Sequence, residues 1–215
     1  MISIRPYMPT DRASLRQICC DVADRGEPIE NFFPDREFAA DFLTAYYTDY
    51  EPSASFVAEV DGRVAGYVNG CLDNRRFGLV MLFLIIPQSL LKGLVRGVFV
   101  RKEFWKILHA MLKNWRRALI WRKQSFHSHQ GHFHIGIAKN ARGQNLGTTL
   151  VHALLDEARI KGMVEMTASV HDGNTAACRF FEHLGFEARE KYPMMMASGD
   201  SLVQYHSILY VKSLV

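Results

Sequence analysis

Residues 132–155 read HFHIGIAKNARGQNLGTTLVHALL. An apolar-leaning strand runs into a loop with two glycines, and the loop runs straight into an amphipathic helix. Amides at the start of a helix have no intrahelical acceptor, and the helix dipole favours negative charge there, so this layout suits a bound phosphate. Gly143 and Gly147 remove side-chain bulk where backbone must approach a ligand, and Asn145 tolerates left-handed backbone angles better than most residues with a side chain. Thr148 and Thr149 add hydroxyl donors at the helix start, and Arg142 adds positive charge. The loop lacks the Gly-Lys-Ser/Thr of a nucleoside triphosphate site and the Gly-x-Gly-x-x-Gly of a dinucleotide fold. A tight strand–helix turn without a ligand is the competing reading of the loop taken alone.

Upstream, residues 2–7 alternate as a first strand, and Pro9-Thr10-Asp11 precedes helix-spaced apolar residues at Leu15, Ile18, Cys19 and Val22. A second helix is expected over 36–47, with Phe38, Phe42, Leu43 and Tyr46 on one face. Residues 55–60, Asp61-Gly62 and 63–71 spell strand, tight turn and strand. Downstream, 163–170 reads as a strand and 174–183 as a helix closed by Gly185. Residues 187–196 and 205–212 read as strands about a turn at Gly199-Asp200. Residues 74–124 show no strand alternation and read as two or three helices packed as a lid, interrupted at Pro87. The longest uncharged run there, 77–91, is shorter than the ~20 residues of a bilayer span, so no transmembrane segment is expected. The pattern predicts a mixed α/β fold with a largely antiparallel sheet flanked by helices. One domain over residues 1–215 would carry a helical, basic insertion at 74–130.

The 215 residues are 48% hydrophobic and 22% charged, enough for a substantial core and too apolar for wholesale disorder. Cys19, Cys20, Cys71 and Cys178 lack paired spacing and read as free thiols of a reducing, cytoplasmic compartment; no secretory signal is visible. The formal charge of +4 is unevenly spread: residues 92–123 hold ten Lys and Arg against Glu103 alone, which is +9 locally and leaves −5 elsewhere.

Two motifs carry a family resemblance. Arg142-Gly143-Gln144-Asn145-Leu146-Gly147 is similar to the Gln/Arg-x-x-Gly-x-Gly/Ala loop of the GNAT N-acetyltransferases, with Asn145 in place of the central glycine. The run from Asn174 through Ala177, Phe180 and Phe181 to Gly185-Phe186 resembles the family's second signature, an Asn, a helix and an aromatic pair before Gly-Phe. The opening IRPYMPTD and the hairpin FVAEVDGRVAGYV also look like family members, so the likeness spans roughly residues 1–72 and 131–212 and stops at the insertion. It implies a GNAT-like acyl-CoA N-acyltransferase fold and acetyl-CoA as donor. It places the pyrophosphate on amides near Gln144, Leu146, Gly147 and Thr148, within the loop that Arg142, Gly143 and Asn145 complete. It lays the pantetheine arm like an added strand beside Ile135, Gly136 and Ile137. Asn174 would contact the cofactor or orient the acceptor side, and Phe181 falls at the cofactor too. Phe181 occupies the position of the family's thiolate-protonating tyrosine, and a phenyl ring has no proton to give; Tyr192 or a water is left for that role.

His132 and His134 share one face of their strand. An imidazole near its ordinary pKa of about 6.5 can take a proton from an amine, and His134 lies nearer the expected thioester; the other reading has both lining the acceptor cleft with hydrogen bonds. His127 and His129 precede them, but no H-E-x-x-H or cysteine accompanies the four, and no metal is expected. Asp172 is a candidate to orient an acceptor amine. The basic insertion has three uses: a solvated helix face over the acceptor cleft, an attractor of an anionic substrate, nucleic acid or membrane, or a homodimer contact. No nucleic-acid module accompanies it, so no nucleic acid partner is expected. The expected function is transfer of an acetyl group from acetyl-CoA to the primary amine of a small molecule by direct attack. The alternative, motivated by Phe181 and Asn145, is an acyl-CoA-binding module with weak or no catalysis.

Overall fold

In a computed structural model the chain builds a seven-stranded sheet in the order β1-β2-β3-β4-β5-β7-β6. The structure describes residues 1–31, 33, 35–121, 129–198 and 201–215. In chain order the strands and α-helices are β1 (Ile2–Pro6), α1 (Arg12–Val22), α2 (Arg36–Ala45), β2 (Ser55–Val60), β3 (Arg63–Cys71), α3 (Asn74–Val80), α4 (Ile86–Val95), α5 (Lys102–Trp121), β4 (Gln130–Ile137), α6 (Leu146–Ile160), β5 (Glu165–His171), α7 (Thr175–His183), β6 (Glu187–Ser198) and β7 (Ser201–Ser213). This is the expected mixed α/β architecture, and the hairpin β2–β3 has the bounds read from its Asp-Gly turn. His127, Arg122, Lys123 and the Gly199-Asp200 turn lie outside the described residues.

Neighbouring strands pair antiparallel except β4 and β5, which are parallel. That parallel pairing is short: Gln130 with Glu165, Gly131 with Met166 and His132 with Thr167. Beyond it β4 stays on β3 to Ile137, and β5 stays on β7 to His171. The sheet therefore opens into a notch whose inner edges carry backbone groups without a strand partner.

Alternation along β4 sorts its side chains between two layers. Phe133 faces α6 and α7, packing with Leu150, Leu154, Phe181 and Phe186. Leu146, Leu150, Val151, Leu154, Leu155 and Ala158 form the buried stripe of α6, each leucine contributing roughly 2 kcal/mol of burial. On the other face α1 packs Leu15, Ile18 and Cys19 against Val57 and Tyr67.

The insertion departs from expectation at Pro87. The helix is not interrupted there; α3, a π-helical turn (Met81–Ile85) and α4 run on as one helix, Asn74–Val95. Ile86 N–H donates to Met81 O, one residue further back than in an α-helix. The widened turn accommodates the proline ring and the amide hydrogen it lacks. By length and composition this 22-residue helix reaches what a membrane span needs, with a window of mean hydropathy 1.9. The helix break expected at Pro87 is therefore absent, and the helix is longer than the uncharged run 77–91 within it. One side packs on the domain: Met81 and Ile85 join Tyr46 and Tyr47, Lys92 bonds Asp41 at 2.8 Å, and Arg96 meets Asp35 at 3.2 Å. Leu79, Leu82, Phe83, Leu91 and Leu94 are exposed. α5 is pinned to the edge strand β6 by one amide: Asn114 Nδ2 donates to Met195 O (2.8 Å), and Met195 N–H donates to Asn114 Oδ1 (2.7 Å).

Candidate functional site

The loop between β4 and α6 takes the shape its composition suggests. Gly143 (φ +78°) and Asn145 (φ +60°) are both left-handed. Asn145 occupies the N-cap of α6, yet its side chain makes no capping bond. The first-turn amides of α6 thus lack a side-chain acceptor, and the dipole reinforces their positive potential.

A cleft of about 610 Å³ opens at this point. Ile135, Gly136 and Ile137 line it from β4. Arg142, Gly143, Asn145, Leu146, Gly147 and Thr148 line it from the loop and helix start. Asn174 and Phe180 close it from α7. Gln144 is exposed and does not line the cleft. Asn174 Oδ1 accepts from Ala177 N–H (3.1 Å) and caps α7, which leaves its Nδ2 as the group for a ligand. Arg142 Nη2 donates to Gly26 O (3.1 Å), tying the loop to the left-handed Arg25-Gly26 turn after α1.

Phe181 is not at the cleft. Its ring is 4% exposed and stands in the core against Phe133, Phe186 and Tyr210, with centroids 5.8, 5.3 and 5.7 Å away. Its neighbour Phe180 faces the cleft instead, and a Cβ at Gly147 would lie 3.2 Å from that ring. Successive residues of a helix point about 100° apart, so an aromatic pair cannot both face the ligand. Tyr192, the other phenol considered, hydrogen-bonds Ser169 Oγ at 3.0 Å.

The two β4 histidines separate chemically. His132 Nδ1 lies 2.7 Å from Asn74 Oδ1, whose Nδ2 is committed to Gln130 O; His132 Nε2 lies 3.1 Å from the Tyr47 hydroxyl. Both ring nitrogens are thus engaged in a neutral ring, Nδ1 donating to Asn74 and Nε2 accepting from Tyr47. His134 Nδ1 meets the Tyr67 hydroxyl at 2.9 Å, and among the described residues its Nε2 has no hydrogen-bond partner. Gly136 makes this contact possible: a Cβ there would lie 2.7 Å from the Tyr67 ring. Burial pushes both histidines down to about 4, with the neighbouring His134 adding to the effect on His132. Neither side chain lines the cleft itself; both lie on the α1 and α2 face of β4.

Asp172 bonds Lys191 Nζ at 3.1 Å, which is the main reason its carboxyl lies below the usual range, and Asp172 is thereby engaged away from an acceptor amine. Among the described residues no three His, Cys, Asp or Glu side chains group as a metal site. Asn69 escaped the sequence reading, and His171 reads from sequence only as a surface or hydrogen-bonding residue. Asn69 pairs across the ladder with His134, is fully buried, and among the described residues neither of its amide atoms has a partner. His171 ends β5 three residues before Asn174; its Nδ1 accepts from Gly173 N–H (2.8 Å), and its ring stacks on Tyr205 at 4.3 Å. Position at the tip of a strand leading into the Asn174 motif was the available signal for His171. Nothing in sequence marks Asn69.

Residues 111–186 match the model of the acetyltransferase (GNAT) family. Two curated relatives, from Pseudomonas paraeruginosa strain PA7 and Pseudomonas aeruginosa strain PAO1, are described as L-methionine sulfoximine/L-methionine sulfone acetyltransferases. Each is 34% identical over 59 residues, 27% of this chain and 34% of the relative, so the match spans about a third of their length. Among solved structures, a protein named SsHAT aligns over 100% of this chain and 98% of its own at a TM-score of 0.72 and 22% identity. A putative acetyltransferase from Salmonella typhimurium, solved with its cofactor acetyl-CoA, aligns over 100% of this chain and 94% of its own at 0.59 and 16%. At such identities these structures speak to the fold.

Proposed function

We propose that the chain acts as an acetyltransferase of the GNAT family, whose model matches residues 111–186, and that it transfers an acetyl group from acetyl-CoA to the primary amine of a small molecule. The observation that carries this reading is the coincidence, in one cleft, of the uncapped α6 N-terminus and the open edge of β4. The donor set suits acetyl-CoA: amides from Gly143 to Thr148 meet the pyrophosphate charge, and Ile135 to Ile137 offer strand-like pairing to the pantetheine amides. Bound there, the cofactor supplies an acetyl thioester. The small-molecule acceptor draws support from the curated relatives, whose described substrates are amino-acid derivatives.

His134 serves as proton acceptor through Nε2, in the tautomer that carries its proton on Nδ1 and donates it to the Tyr67 oxygen. His132 keeps that part of the face in place. Its ring nitrogens are already matched, which argues against a base role.

Titration of acetyl-CoA into two variants tests the loop. Gly147→Glu puts bulk and charge at the helix start but also strikes Phe180; Thr148→Glu brings charge alone. Both are expected to abolish binding, and near-normal affinity in folded T148E refutes the assignment. The competing reading, an acyl-CoA-binding module with weak or no catalysis, is favoured by phenylalanine at position 181, whose ring has no hydroxyl to protonate a thiolate, and by Asn145 in the loop. Thiol release across a panel of amines separates the two.

A further inference from the structure

A second cavity of about 610 Å³ lies between α2, α4, α5 and the ends of β5, β6 and β7. It meets the cofactor cleft at Arg25, which lines both. Its walls are almost wholly apolar. Phe33 stacks on Phe38 at 5.3 Å, and Phe104 meets Phe38 edge-on at 6.1 Å. Ile107 and Leu108 descend from α5, and Met195 and Met196 line the sheet side, where thioethers adapt to irregular shapes. The polar groups on the lining are few and mostly engaged. Asn114 spends both amide atoms on Met195, and among the described residues the charged side chains on the wall, Asp24 and Arg25, pair at 3.2 Å beside the junction. His171 also lines the chamber, with Nδ1 occupied by Gly173 N–H.

We infer that this chamber holds the acceptor, and that the acceptor is a primary amine on a bulky, uncharged apolar body, alkyl or arylalkyl, without a carboxylate. This deepens the acetyltransferase reading and rests on it. An apolar body gains from leaving water for such walls, whereas an α-amino acid would bring a carboxylate to a chamber whose guanidinium, Arg25 among the described residues, already has a partner. With the body seated among the phenylalanines, the amine is left at the junction with the cofactor cleft, where Arg25 lines both. The roof comes from the helices between β3 and β4, so the insertion sets substrate class.

The test is equilibrium binding of n-butylamine, n-hexylamine, n-octylamine and 2-phenylethylamine to protein saturated with coenzyme A, alongside methionine and methionine sulfoximine. Thiol release with acetyl-CoA is measured on the same set. Affinity is expected to rise about fourfold per added methylene until the chamber fills, with both amino acids binding more weakly than octylamine. Leu108→Trp, which fills the chamber from α5, is expected to weaken octylamine binding roughly tenfold or more by displacing apolar contact while coenzyme A affinity stays unchanged. A flat alkyl series, tighter binding of either amino acid, or an L108W protein that binds coenzyme A and octylamine normally overturns the inference. Loss of coenzyme A binding in the wild-type protein overturns the acetyltransferase reading instead, and the amine series repeated without coenzyme A still reports on the chamber.

Discussion

Among the described residues His134 has one ring nitrogen without a hydrogen-bond partner, and His132 has both engaged. Replacing His134 with Gln is expected to lower kcat about 100-fold, within the usual range for a lost proton acceptor, while acetyl-CoA affinity holds. Equal loss in kcat and cofactor affinity would reduce His134 to a structural residue. The pH dependence separates the same possibilities. Burial holds His134 at about 4, so its base form is complete well below neutrality. The wild-type kcat profile is then expected to lack an acid limb near 6.5; such a limb, abolished in H134Q, would show an ordinary imidazole. Asn145 answers to backbone geometry. At φ +60°, Asn145→Gly should bind acetyl-CoA normally, whereas the β-branched Asn145→Val should cost about 1–3 kcal/mol of stability, measured by urea unfolding.

At the scale of elements, the amide of Asn114 ties α5 to β6. Asn114→Leu removes both bonds to Met195 and should destabilise the protein by about 1–3 kcal/mol. It should raise the acceptor KM through a loosened roof while leaving the acetyl-CoA Kd alone; a changed cofactor Kd would mean α5 supports the cleft as well. The Pro87 helix shows what local reading misses. A proline in a helical pattern predicts a break, and here the preceding turn widens, so one continuous helix forms. The hairpin and α6 were legible because an Asp-Gly turn and a buried leucine stripe are local signals. Phe181 was misplaced because a motif fixes the order of an aromatic pair and leaves the helix phase to tertiary packing. Phe133, Phe186 and Tyr210 decide which ring turns inward.

At the scale of the molecule, the same two half-buried histidines are expected to shape acid tolerance. An unfolded chain protonates His132 and His134 at about 6.5, and the native chain declines those protons until about 4. Acidification across that window therefore favours the unfolded state. Stability measured by urea is expected to fall from pH 7 toward pH 5, and to fall less steeply in His132→Gln; a flat wild-type profile would contradict the burial of the pair. The sheet and its flanking layers could be read from period and turn chemistry. The chamber could not, because its walls come from Phe33, Phe104 and Met195, residues far apart in sequence that meet only once the helices pack.

The short parallel seam has a mechanical consequence. Strands β1 to β4 form one plate and β5 to β7 another, and their strand-to-strand bonding spans three residue pairs at one end of the notch. A pantetheine arm laid between the plates would act as a splice, extending hydrogen bonding across the gap. Ligand and fold should then be coupled: at a hundredfold excess over its Kd, coenzyme A should add about 2.7 kcal/mol to unfolding stability. Amide exchange should slow at residues 133–137 along the open edge of β4 while staying unchanged in β1. The binding site would then be the place where two half-sheets become one cooperative unit.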